Sequence, residues 1–206
     1  GKRPVEYLLS EIEVDRRWCL IHSTHMNAHE TDALARSGAV AGLCPVTEAN
    51  LGDGIFNALP FRQAGGTFGV GTDSNIRISV AEELRQLEYS QRLKHHARAL
   101  IAEPGQSCGR TLYEAALSGG AQALGRDSGS LVVGKWADLV AIDPDVYTGV
   151  FEGDGILDSW IFASGNEAVT DVWSAGRHMV RGGRHVAREA IAQRYRACVD
   201  KLAKAL

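Results

Sequence analysis

Three short apolar runs, each leading through a turn or loop to a helical pattern, limit the folds open to this chain. Trp18-Cys19-Leu20-Ile21-His22, Ala39-Val40-Ala41-Gly42-Leu43-Cys44 and Thr67-Phe68-Gly69-Val70-Gly71 are continuous hydrophobic stretches of strand length. Runs apolar on both faces are strands buried on both sides, as parallel sheets require. Between the first two, Asn27 and Glu30 have the spacing of an N-cap and its reciprocal partner, and Gly38 supplies a stop. After the third run, Val80-Ala81-Glu82-Glu83-Leu84 opens a long helix expected over 80–102. Strand, helix, strand, helix, strand, helix predicts three successive units of parallel α/β character.

The remaining elements follow from punctuation and periodicity. Residues 4–15 form an amphipathic stretch with Tyr7, Leu8, Leu9 and Ile12 on one face, expected to be a helix. The segment after Pro45, with Thr47, Glu48, Asn50 and Gly52, is polar and glycine-bearing and is expected to be a functional loop. Residues 58–64 suit a short helix, and 112–124 an alanine-rich one. From Gly125 onward the pattern changes. Residues 130–143 are expected to be two strands around a glycine turn, with further strands at 158–162 and 169–177. Arg181-Gly182-Gly183 is a hairpin turn and 187–206 a closing helix. The expected organisation is a partial barrel over 1–126, sandwich strands over 127–186 and the helix 187–206.

Composition removes several classes of function. A chain of 206 residues with net charge -3 and 45% hydrophobic residues is large enough for a core and carries no basic footprint for nucleic acid or an anionic membrane. No apolar run approaches the roughly 20 residues that span a bilayer, and the N-terminal residues contain no signal-peptide core. Cys19, Cys44, Cys108 and Cys198 lack metal-knuckle spacing and read as reduced thiols of a cytoplasmic protein. The glycines of 65–71 lie before and within a strand, where a phosphate cradle would follow it.

Chemistry concentrates at strand ends. His22 and Asp73 both close predicted parallel strands, so one rim of a sheet could bring them together. A carboxylate can bind a divalent metal, and a nearby imidazole can orient or deprotonate a water there. Structural roles for both residues remain open on spacing alone. His25 reads as a loop residue, and His29, His178 and His185 as surface residues. His95 and His96 are adjacent on a helix and do not face each other. Thr47, Glu48 and Asn50 either present polar groups to a ligand or close their own loop.

Three stretches resemble the amidohydrolase superfamily: Ile21-His22-Ser23-Thr24-His25-Met26, Gly71-Thr72-Asp73-Ser74, and the run from Gly129 through Gly134-Lys135-Trp136-Ala137-Asp138 to Val140. The resemblance covers nearly the whole chain. Val40-Ala41-Gly42-Leu43-Cys44-Pro45, then Thr47-Glu48-Ala49-Asn50-Leu51-Gly52-Asp53-Gly54, is similar to members acting on a formimino group. The resemblance implies an α/β fold that is the C-terminal part of a (β/α)8 metal-dependent hydrolase barrel, about the last three βα units, plus part of a small β-sandwich. It implies hydrolysis of N-formimino-L-glutamate to N-formyl-L-glutamate and ammonia, in histidine degradation. The rivals are deamination of a purine, pyrimidine or triazine, and a non-catalytic half-barrel.

By position, His22 resembles the histidine that helps activate the hydrolytic water, and Asp73 the aspartate that binds the metal and shuttles protons. Zinc is the implied metal, with iron as the alternative. The His-x-His pair and the histidine-plus-glutamate motif of the family have no counterpart here, so the resemblance implies a chain starting beyond the fifth barrel strand. The remaining ligands and the substrate-binding groups are then expected on a complementary N-terminal polypeptide, with Arg77 read as a surface residue. The expected partners are a small-molecule substrate, that polypeptide and further copies in a homo-oligomer, with no nucleic acid and no membrane.

Overall fold

The computed structural model describes residues 1–143 and 152–205. Helix α1 (Pro4–Glu11) leads to strand β1 (Cys19–Ile21), helix α2 (Ala28–Ser37) and strand β2 (Val40–Leu43). Helices α3 (Pro45–Leu51) and α4 (Ala58–Gln63) precede strand β3 (Thr67–Val70), and α5 (Val80–His95) and α6 (Cys108–Ala123) follow it. The three strands pair in parallel in the order β1-β2-β3, with Cys19 opposite Val40 and Val40 opposite Thr67. Each apolar run therefore became a strand of one sheet, as its two-sided hydrophobicity requires.

Asn27 caps α2 as its spacing predicts: its side chain accepts from Glu30 N, and Glu30 accepts from Asn27 N, each at 2.9 Å. Leu34 of α2, Leu43 of β2, Phe61 of α4, Phe68 of β3, Leu84 and Leu87 of α5, and Leu112 of α6 are buried together in one core. Helix α6 lies along β3, where Gly119 and Gly120 bring its backbone against Phe68 and Gly69.

After α6, strands β4 (Leu139–Ile142), β5 (Val169–Ser174), β6 (Arg177–Arg181) and β7 (Arg184–His185) form an antiparallel sheet in chain order. Gly182 and Gly183, both at positive φ, turn β6 into β7. Helix α7 (Asp154–Phe162) lies between β4 and β5 in sequence, and α8 (Arg188–Ala203) closes the described chain. Leu206, the last residue of the expected final helix, lies outside the described residues.

Five expectations are corrected. The loop expected after Pro45 is helix α3: Pro45 occupies its first turn, where a missing N–H costs nothing, and Gly52 ends it at φ 74°. The strand expected at 158–162 is the end of α7, which buries Trp160 and Ile161 and accepts the Gly109 N–H at Asp158 Oδ1. The stretch 130–134 is not a strand: among the described residues no neighbour pairs with it, and Leu131 and Val133 stand exposed. Helix α5 stops at His95, where His96 takes φ 53°, short of the expected residue 102. Helix α1 likewise ends at Glu11, as Ile12 turns extended.

Candidate metal-assisted hydrolytic site

The C-terminal ends of β1, β2 and β3 converge on one small volume. His22 continues β1 by donating its backbone N–H to Gly42 O at 2.7 Å, then turns sharply. Its φ is 66° and that of Ser23 is 49°, with Ser23 N donating to Ile21 O across His22. Asp73, just past β3, takes φ 51°. Non-glycine residues in the left-handed region cost free energy and persist where the surroundings over-determine them, which occurs disproportionately at functional sites.

These turns bring His22 Nε2 to 3.8 Å from Asp73 Oδ2. Both side chains are a little over a third exposed, so the pair faces outward from a buried base. Beneath it, His22 Nδ1 lies 3.1 Å from Glu48 Oε1, and that same oxygen accepts from Cys44 N at 2.9 Å. Glu48 is fully enclosed in the first turn of α3. One residue earlier, Thr47 Oγ1 donates to Thr72 O at 3.0 Å, tying α3 to the loop that carries Asp73.

Two further acidic or thiol groups complete the base. Burial, and then the charges of Glu48, Asp73 and Glu83, push the Cys44 thiol up to about 11. Glu83 of α5 is buried; its Oε2 accepts from Val46 N at 2.9 Å, and its Oε1 has no partner among the described residues. Burial raises its pKa to about 7, with the Val46 N–H pulling the other way and Glu48 and Glu82 adding repulsion. Atoms of His22, Cys44 and Asp73 lie within 4.8 Å of one another. Imidazole nitrogen, sulfur and carboxylate oxygen are the donors a borderline divalent ion such as zinc accepts, so the residues present fit such an ion.

The other sequence candidates stay apart from this volume. His25 is exposed, and its carbonyl accepts from the Arg3 guanidinium, which also pairs with buried Glu30 at 2.7 Å. Arg77 is engaged by Glu82 on the surface, and Asn50 is exposed. His178 pairs with Asp171 at 2.7 Å and stacks on Trp173 in the antiparallel sheet. Glu48 and Thr47 resolve into a structural clamp that their spacing from His22 did not disclose. Cys44 and Glu83 were legible only as a strand end and a helix residue. A cavity of about 470 Å³ opens beside His22 toward Arg3, Leu20, Thr24 and Asp53.

The C-terminal tips of parallel strands here offer an imidazole and a carboxylate, and the chain belongs to the amidohydrolase family, whose model matches residues 2–179. It is 53% identical over 197 residues to formimidoylglutamate deiminase of Pseudomonas aeruginosa, covering 95% of this chain and 44% of that protein. A crystal structure of an amidohydrolase from Brucella melitensis superposes with a TM-score of 0.92 at 50% identity, over 98% of this chain and 45% of that one. An adenosine deaminase from Xanthomonas campestris, solved with bound zinc, gives a TM-score of 0.85 at 27% identity, over 99% of this chain and 46% of that one. The chain thus spans less than half the length of these relatives.

Proposed function

We propose that this chain contributes one half of the active site of a formimidoylglutamate deiminase, an enzyme of histidine degradation acting in the cytoplasm. The reaction would convert N-formimino-L-glutamate and water to N-formyl-L-glutamate and ammonia. The observation that carries the chemistry is the 3.8 Å approach of His22 Nε2 and Asp73 Oδ2 at the tips of β1 and β3. The substrate is taken from the Pseudomonas relative, whose 53% identity far exceeds the 27% of the adenosine deaminase.

In this reading Asp73 holds a divalent metal, with zinc favoured over iron by the zinc-bound Xanthomonas relative. Such an ion, when bound, lowers the pKa of a water toward neutrality. His22 Nε2 orients the attacking water and accepts its proton. The water oxygen bonds to the formimino carbon, the bond from that carbon to the terminal imino nitrogen breaks, and Asp73 passes protons to the departing nitrogen. Both protons of the resulting ammonia that the imino group lacked come from the water. The other metal ligands and the glutamate-binding groups belong to a complementary polypeptide completing a (β/α)8 barrel, and the division near residue 126 separates barrel from sandwich.

The test is ammonia release by the enzyme completed to the relatives' length, assayed on N-formimino-L-glutamate, adenosine and guanine. Turnover of the first with a stoichiometric metal supports the proposal. Preference for a purine transfers the site to the second reading, and absence of both turnover and metal leaves a non-catalytic half-barrel.

A further inference from the structure

We propose that Glu48 is the positioning residue for His22, fixing the imidazole as the Nδ1–H tautomer so that Nε2 is the free base facing Asp73. This rests on the hydrolytic reading of the site. Glu48 is buried, and its Oε1 lies 2.9 Å from Cys44 N and 3.1 Å from His22 Nδ1. A carboxylate can only accept, and the backbone N–H already commits this oxygen as an acceptor. The hydrogen of a neutral imidazole bonded there must then sit on Nδ1, and the tautomer is set by the bond that nitrogen makes.

The arrangement goes beyond helix capping. Capping α3 needs only the contact to Cys44 N, whereas the same oxygen also meets a ring that its backbone turn leaves more than a third exposed. The neighbouring Thr47 fixes the Thr72 carbonyl at 3.0 Å, so one turn of one helix holds both strand tips. Sub-ångström placement of an imidazole matters because misplaced catalytic groups lose rate steeply.

Selective labelling of the chain with ¹⁵N-histidine and ¹³C-glutamate reads the tautomer directly. The parent is expected to show His22 as Nδ1–H, with a coupling across the hydrogen bond to the Glu48 carboxyl carbon. Glu48→Ala is expected to release the ring to the Nε2–H form or a mixture, while Glu48→Gln, whose amide oxygen still accepts, keeps Nδ1–H. A parent in the Nε2–H form, or an alanine variant that keeps Nδ1–H, overturns the inference. If the alanine variant does not fold, the parent coupling decides alone, and its absence overturns the inference. In the completed enzyme, Glu48→Ala should lower kcat about 10–100-fold with KM little changed, and Glu48→Gln should recover most of it. An unchanged kcat contradicts the role. A wrong substrate assignment would instead leave the parent enzyme silent on formiminoglutamate, with the tautomer spectra unaffected.

Discussion

Glu83 is a buried acid with one oxygen bonded to Val46 N and the other unpartnered among the described residues. Burial lifts it from its ordinary 4.5 to about 7. An acid whose folded pKa exceeds its unfolded value binds the proton more tightly in the native state, so its stabilising contribution is complete at low pH. That contribution is lost as pH rises through about 7. Glu83→Gln, which cannot ionise, should therefore be more stable than the parent at pH 8 by about 1–3 kcal/mol, with the gap closing toward pH 5. Urea unfolding at both pH values measures this; a gap independent of pH contradicts it. His22 and Asp73 were legible in the sequence because each closes an apolar run. Glu48 was legible only as a polar candidate of an expected loop and Glu83 only as a helix residue, since contacts across 26 or 37 positions depend on how α3 and α5 stack over the sheet.

At the scale of elements, the contact of α6 with β3 depends on the absence of side chains. A Cβ at Gly119 would lie 1.9 Å from Phe68 O, and one at Gly69 would lie 3.1 Å from Gly120 N. Backbone cannot yield as a flexible side chain does, so Gly119→Ala should destabilise by at least the roughly 1–3 kcal/mol typical of overpacking. A denaturation midpoint equal to the parent's would show that the helix is free to move off the strand. The three parallel strands were readable because each is hydrophobic on both faces. Helix α3 was not, because Thr47, Glu48 and Asn50 look like loop residues until two of them are seen bonding inward. Helix α7 reads as a strand in the sequence because Trp160-Ile161-Phe162 has strand composition, and packing against α5 and α6 overrides it.

For the whole molecule, the consequence is unsatisfied surface. Among the described residues β1 and β3 each pair on one side only, and Ile21, Ile76 and Val133 are at least 57% exposed. Open parallel edges beside apolar surface favour association. The chain alone is expected to self-associate or to be recruited by a complementary polypeptide, read by sedimentation velocity; a stable monomer at micromolar concentration contradicts this. No helix among the described residues is long and apolar enough to cross a membrane, so that surface is not a transmembrane helix.

The central claim is that the tips of β1 and β3, on either side of β2, act on one hydrolytic water. Steady-state ammonia release from N-formimino-L-glutamate by the completed enzyme tests it in His22→Ala and Asp73→Ala, with folding checked by circular dichroism. Each variant is predicted to lose activity by at least about 10²–10⁴-fold while remaining folded. A rate close to the parent's in either folded variant would contradict the account.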